Sequence, residues 1–428
     1  MTLPPPAAWP VFPGDEVDAV SAVLQSGKVN YWTGDICRAF ERDYAAYVGT
    51  THAVAVSNGT VALELALYAL GIGAGDEVIT TSRTYIASAS CAVMRGAIPV
   101  VVDVDRATQN IAPAAIRAAI TPNTRAIIAV HLAGWPCDMD AIMAIAGEFG
   151  LKVIEDCAQA HGAEYKGRQV GSIGHAAAFS FCQDKIISTG GEGGMLTTSD
   201  AEVWKRAWAF KDIGRSYDAV YHQEHPPGFR WLTETFGTNW RLTELQAAIG
   251  RKQLQKLDGW IDQRRANAAA LTATFLEIPA VRVALPPPAV RHAYYKYYVF
   301  VEPKCLREGW DRDRIIAELS SRGVPCFSGS CSDIQREKAF ETLPGFIRTE
   351  VPVALELGET SLMFLVHPTL EAGYMAQVCA QIVNVFEQAT DPAIWPAHAS
   401  SAAHGARGPS SVRSDSNVGA GDETVFID

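Results

Sequence analysis

VIEDCAQAHGA (153–163), followed by FSFCQDK (179–185) and GGEGG (190–194), is the part of the chain on which the rest of the reading turns. The first apolar run closes on an acid at Asp156, and a lone lysine, Lys185, stands just past the second. As strands of one sheet, the two runs put both side chains at the same end of it. A carboxylate and an amine so placed meet the needs of pyridoxal phosphate chemistry. The amine forms a Schiff base with the cofactor aldehyde, and the carboxylate keeps the pyridine nitrogen protonated so that the ring acts as an electron sink.

Working outward, strand-like and helix-like runs alternate. AVAVS (53–57) precedes VALELALYAL (61–70); EVITT (77–81) and IPVVVDV (98–104) follow. AIIAVHL (126–132) precedes MDAIMAIAGEF (139–149), and KVIEDC (152–157) and AAAFSF (176–181) complete the series. This alternation predicts an α/β domain with a mostly parallel sheet and helices on both faces. Only Glu64 is charged in 61–70, so that helix is expected to be buried nearly all round. Ser57-Asn58-Gly59-Thr60 lies between strand and helix, where free amides and the helix dipole favour a phosphate; the same residues also suit an N-cap, and both roles can hold. GIGAGD (71–76) follows a helix and precedes a strand, the reverse of a dinucleotide loop, which excludes a nicotinamide site.

Beyond Phe210 the sequence GRSYDAVYHQEHPPGFRWLTETFGTN (214–239) is irregular and aromatic, and loops this long are usually functional or interfacial. RLTELQAAIGRKQLQKL (241–257) and DQRRANAAALTATFLEI (262–278) read as two long helices. YYVFV (297–301), DRDRIIAELSSR (311–322) and AGYMAQVCAQIVNVFEQ (372–388) form a smaller α+β unit. The expected division is 1–255 for the large cofactor-binding domain with its N-terminal segment, 256–389 for the small domain, and 390–428 for a tail without periodicity that is expected to be disordered.

The ordered set of motifs resembles the DegT/DnrJ/EryC1/StrS sugar aminotransferases, within the fold type I group of pyridoxal phosphate enzymes. The resemblance runs from about Pro13 to about Glu387. It takes in Ser57 to Thr60, GDEVI (75–79), VDVD (102–105), EDCAQAHG (155–162), the Ser180-Phe181-x-x-x-Lys185 frame, GEGG (191–194) and NWRLTELQ (239–246). On spacing alone Lys185 is an ordinary surface lysine and Asp156 a turn acid or cap. The resemblance implies that Lys185 is the Schiff-base lysine and proton carrier and that Asp156 faces the pyridinium. It further implies that Gln159 meets the phenolic oxygen, that Gly59, Thr60 and Ser180 hold the phosphate, that Tyr85 stacks on the ring, and that Asn239 reaches the phosphate from the neighbouring subunit. The alternatives are a core tyrosine for Tyr85, a loop amide for Gln159, and an N-cap of a helix beginning at Trp240 for Asn239.

The resemblance also places Tyr31 and Trp32 at the sugar pocket, Arg241 as an approach from the partner subunit, and Lys296 and His367 on the wall. Lys296 stands where relatives often carry histidine, and as a cation it suits a nucleotide phosphate or a sugar carboxylate. The implied activity is transfer of the amino group of glutamate to a nucleotide-linked keto-deoxysugar, with a 4-keto sugar favoured, for surface polysaccharide or a glycosylated metabolite. The implied assembly is a homodimer with shared active sites. A pyridoxal phosphate dehydratase on the same scaffold is the alternative enzyme, disfavoured because the sugar 3-dehydratases replace the lysine with histidine; a cofactor-binding regulator is the non-enzymatic one.

A formal charge of -11 and a pI near 5.4 argue against nucleic-acid or anionic-membrane partners. The start, MTLPPPAAWP, lacks the features of a signal peptide, and no apolar stretch is long enough for a membrane span, so a cytoplasmic protein is expected. Nine scattered cysteines without a Cys-x-x-Cys pair read as reduced thiols, and no metal site is expected.

Overall fold

The computed structural model describes residues 2–395. Its large sheet is built from β1 (His52–Val56), β2 (Glu77–Thr81), β3 (Ile98–Val102), β4 (Thr124–Val130), β5 (Lys152–Asp156), β6 (Ala176–Ser180) and β7 (Gly194–Thr198). Their order is β1-β7-β6-β5-β4-β2-β3, and β7 is antiparallel to both its neighbours while the other pairs are parallel. This is the mixed, mostly parallel sheet that the alternating runs require.

Helices α1 (Gly14–Ser26) and α2 (Ile36–Val48) precede β1, while α3 (Gly59–Ala69) connects β1 to β2 and α4 (Ala87–Met94) connects β2 to β3. α3 packs directly on β6, as expected for a helix with one charge: Ala62, Leu63, Leu65, Ala66, Leu67 and Ala69 are all buried. The fit is close because β6 opens with three alanines, whose small side chains let the helix approach the sheet.

The two helices expected between Arg241 and Ile278 are one, α5 (Glu244–Leu276). Asp258-Gly259 does not break it, because Leu257, Ile261 and Arg264 are buried on either side and tertiary packing outweighs the ~1 kcal/mol propensity cost of an interior glycine. Its start is set by a capping box between Thr243 and Gln246, so Asn239 lies outside the helix and is not its N-cap. The buried cores change along α5: Leu257 and Ile261 belong to the core of the large sheet, whereas Ala268, Leu271 and Phe275 belong to a second core.

That second core fills between α5, the final helix α6 (Ala372–Ala389) and an antiparallel sheet of β8 (Val281–Arg282), β9 (Tyr297–Val301), β10 (Cys326–Phe327) and β11 (Ser361–Phe364). Two corrections arise here. The N-terminal segment, expected with the large domain, starts on the small one: Leu3 is buried in the second core and its amide donates to the Arg322 carbonyl at 2.8 Å.

The tail, expected to be disordered from Thr390, is packed as far as Trp395. Thr390 pairs with Leu306, its carbonyl accepts from Arg307 Nε at 2.7 Å, and Trp395 lies against the second core. Composition missed these contacts because an arginine distant in sequence supplies the partner. The expectation for 396–428 lies outside the described residues.

Ending the chain after Ala389 removes the Arg307–Thr390 bond and the Trp395 contact, a loss of roughly 1–3 kcal/mol. Its melting temperature is therefore expected to fall by a few degrees relative to a chain ended after Trp395. Equal melting temperatures in thermal scans would contradict the packing of 390–395.

Candidate active site

Asp156 is the last residue of β5, in register between Val130 of β4 and Ala178 of β6, which sets it at the carboxyl end of the parallel strands. Its Oδ2 accepts from Ser88 Oγ at 2.8 Å, and its Oδ1 from the Ala158 amide at 3.2 Å. Ser88 Oγ also lies 2.9 Å from Thr84 Oγ1. Burial pushes the Asp156 carboxyl above its usual range, against the hydrogen bonds from Ser88 and Ala158 and the charge of Lys185. A cation brought to this carboxylate would relieve the cost of its burial.

The strand end is braced from below. His131 Nδ1 accepts from the Cys137 amide, so its Nε2 carries the proton and meets Glu155 Oε2 at 3.1 Å. Glu155 also takes the amides of Gly171, Ile173 and Gly174. Although burial opposes ionisation, His131 and these amides hold Glu155 below its usual range. His131, Glu155 and Cys157 lie close enough to hold a metal ion, but the imidazole and carboxylate atoms are already engaged in these bonds, which makes the group a brace for the β5–β6 connection.

At the same end of the sheet, the Asn58 side chain caps α3 by accepting from the Val61 amide at 2.9 Å. The cap leaves the Gly59 and Thr60 amides without intrahelical partners at the helix N-terminus. Ser180, at the end of β6, faces this turn so closely that a Cβ on Gly59 would lie 2.7 Å from Ser180 Cβ; a Cβ on Gly194 would run into the Asn58 carbonyl. Both glycines hold the helix start against the strand. His161 fixes the Ser180 backbone: burial lowers its pKa to about 3, so the neutral ring donates from Nε2 to the Ser180 carbonyl at 2.8 Å and accepts from Tyr44 Oη at 2.7 Å.

Lys185 lies in the loop after β6 and is buried. Its Nζ is 3.7 Å from Asp184 Oδ1 and 5.1 Å from the centre of the Tyr295 ring, and its carbonyl accepts from Trp9 Nε1 at 3.0 Å. Gln159 is oriented by the Ala133 amide, which donates to its Oε1 at 2.7 Å and leaves its amide nitrogen as the donor end. Tyr85 is 48% exposed in the turn before α4, which excludes the core-tyrosine alternative.

The residues expected around the sugar divide into two groups. Lys296 and His367 join the Lys185 side: Lys296 Nζ is 3.6 Å from Asp184 Oδ2, and the buried His367 ring stacks on Trp9. Tyr31 and Trp32 pack around Lys211 and Asp212. Tyr31, expected at the pocket, is core instead, 1% exposed, with its hydroxyl bridging Glu41 and Trp208 Nε1 and the Lys211 ammonium 3.5 Å from its ring centre. Trp32 donates from Nε1 to the buried Asp212, which also pairs with Arg215 and Arg241. Arg241, expected to approach a partner's site, is thus held by Asp212 of its own chain, while Asn239 beside it is exposed.

Four contributors were not singled out in the sequence: Ser88, Asp184, Tyr295 and Trp9. Asp184 adjoins the key lysine and was within reach of inspection. The others are brought in by segments remote in sequence.

With this geometry in place, the comparisons with known proteins are decisive. The model of the DegT/DnrJ/EryC1/StrS aminotransferase family matches residues 12–383. The chain belongs to this family. It is 40% identical over 331 residues to the GDP-perosamine synthase of Caulobacter vibrioides, covering 74% of this chain and 82% of that one. The crystal structure of an aminotransferase from Psychrobacter cryohalolentis shares 54% identity and a TM-score of 0.88, over 90% of this chain and 99% of that one. The structure of ntda from Bacillus subtilis with bound cofactor PMP has a TM-score of 0.75 at 25% identity, over 88% of this chain and 83% of that one. The fold type I architecture and the aminotransferase class are those of the family.

The residues present fit pyridoxal phosphate. The cradle between Gly59, Thr60 and Ser180 would offer amide and hydroxyl donors to a phosphate, Asp156 is a buried carboxylate that a cation would relieve, and Lys185 would supply the amine.

Gly59→Ala is expected to weaken retention of pyridoxal phosphate at least about tenfold, because the added methyl forces Ser180 and the α3 start apart. Cofactor absorbance after dialysis measures this; full retention with an unchanged dissociation constant would show that the close approach does not shape the phosphate site.

Proposed function

We propose that this sugar aminotransferase uses pyridoxal phosphate to move the amino group of glutamate to the keto carbon of a nucleotide-linked deoxysugar, with a 4-keto sugar as the favoured acceptor. The observation that carries the reading is the convergence of Asp156, Lys185 and the Gly59–Ser180 cradle at one edge of the sheet. The Caulobacter relative, named for GDP-perosamine synthesis, supports a nucleotide-sugar acceptor. The cofactor named in the Bacillus structure supports the assignment of the cradle.

When bound, pyridoxal phosphate supplies an aldehyde for the amino group and a ring that withdraws electrons from the reacting carbon. Lys185 Nζ, as a free amine, takes the proton from the donor's carbon and returns one to the sugar carbon. Asp156 holds the proton on the ring nitrogen, and Ser88 together with the Ala158 amide keeps that carboxylate aimed. Gln159 offers its amide N–H to the ring oxygen, Tyr85 presents its ring to the pyridine face, and Trp9 donates to the backbone of Lys185.

We further propose that the active unit is a homodimer in which Asn239 completes the neighbour's phosphate site. Phe229, Trp231 and Phe236, next to Asn239, are 78%, 86% and 98% exposed, and a cluster of bare aromatics is a feature of surfaces that meet a partner. Among the described residues no helix is long and apolar enough to cross a membrane. The nine cysteines are free thiols, as suits our placement of the enzyme in the cytoplasm.

A panel of nucleotide keto sugars assayed with glutamate tests the substrate assignment directly. Lys185→Ala is expected to abolish turnover and borohydride trapping of the cofactor; trapping on another lysine would overturn the assignment. Asp156→Asn should retain the cofactor but lose about 10²–10⁴-fold in turnover, since an amide cannot hold the ring proton.

Mixing Lys185→Ala chains with Asn239→Ala chains should restore up to about one competent site per mixed dimer. Absence of recovery between variants shown to exchange subunits would count against shared sites.

A further inference from the structure

One carboxylate, that of Asp184, serves two lysines. Lys185 Nζ stands 3.7 Å from its Oδ1 and Lys296 Nζ 3.6 Å from its Oδ2, and the Tyr295 hydroxyl donates to Oδ2. Both ammonium groups also lie over the Tyr295 ring, at 5.1 and 4.7 Å from its centre. A third cation, Arg264, is wholly buried alongside. Its Nη1 donates to the Tyr294 and Tyr295 carbonyls, its guanidinium lies 5.1 Å from the Trp9 ring centre, and its Nε and Nη2 have no hydrogen-bond partner. His367 adds no charge, because burial and the neighbouring Arg264 and Lys296 lower its pKa to about 3.

Three cations therefore gather around Asp184 in a buried setting, and even with Lys185 shared with Asp156, Lys296 and Arg264 leave a surplus that a further anion would neutralise. Burial pulls the Lys296 ammonium down to about 8, opposed by Asp184 and reinforced by Arg264 and Lys185. The surplus grows less costly once Lys185 is engaged as a neutral amine, but Lys296 and Arg264 then still outnumber Asp184.

We propose that Lys296 receives the α-carboxylate of the amino-group donor. This rests on the transaminase reading above. The donor carbon that loses its proton must lie at Lys185 Nζ, and the α-carboxylate is one bond from that carbon. Lys296 shares a single carboxylate with Lys185, so it is within reach of a group so close to the reacting atom. A nucleotide diphosphate is several bonds from the sugar's keto carbon and belongs farther out. An acid group on the sugar shares the carboxylate chemistry, and the test separates the two sources.

The test uses purified, cofactor-loaded enzyme and the variants Lys296→Met and Lys296→Arg. Conversion of the cofactor chromophore is followed with L-glutamate and with 4-aminobutyrate, which has the amine but lacks an α-carboxylate. Lys296→Met should raise the half-saturating glutamate concentration about tenfold or more, leave that for 4-aminobutyrate and for the keto sugar unchanged, and be partly rescued by Lys296→Arg. Calorimetric titration with glutarate, an unreactive dicarboxylate, should show the same loss of affinity.

An unchanged half-saturation for glutamate in Lys296→Met overturns the inference. So does a rise confined to the keto sugar, which would assign the cation to the acceptor. A wild-type chromophore that no amino donor converts would instead sink the transaminase reading, and glutarate binding to the Lys296 variants would still decide the carboxylate site.

Discussion

A carboxylate held dry at the end of a parallel strand is unfavourable unless its charge is answered, and the candidate site is arranged around that condition at Asp156. The Ser88 hydroxyl and Ala158 amide use part of its accepting capacity, and Lys185 contributes at longer range. Burial still dominates. The arrangement is stable enough to fold and leaves the carboxylate able to take a cation, the place that our proposal gives to a protonated ring nitrogen. The Glu155–His131 brace just below keeps the strand end from relaxing towards water.

Close packing supplies the second condition. The alanines of β6 and the glycines at 59 and 194 bring the α3 N-terminus within van der Waals range of Ser180. The helix can then present its first amides to an anion while burying the rest of its length in the core. One short segment thus serves both stability and recognition, and larger side chains there would affect both together.

Charge burial recurs around the end of β1, where Arg241 bridges Val56. Lys211 and Glu41 around Tyr31, and Arg215 and Arg241 around Asp212, form two adjacent groups of buried or half-buried ions with aromatic rings between them. Their stabilising contribution depends on every member being paired, because breaking such a group leaves an uncompensated buried charge. They anchor α2 and the segment before α5, from which the exposed aromatic residues around 229–236 extend.

The sequence by itself determined the alternation of strands and helices, the placement of Asp156 and Lys185 at one sheet edge, and the capped, buried helix after β1. These depend on local periodicity and on turn residues that act within a few positions. It also carried the family motifs, which lie in continuous segments. Only the tertiary structure decided that α5 is a single helix, since whether Asp258-Gly259 breaks it depends on what packs against Leu257 and Ile261. It likewise made Tyr31 core, gave Arg241 a partner at Asp212, carried Leu3 to the small domain and set Thr390 against Arg307. The junction of Lys185, Asp184 and Lys296 joins residues more than a hundred positions apart. Their meeting is a consequence of how the two domains dock, and no local pattern encodes the direction in which a side chain points once distant elements have packed together.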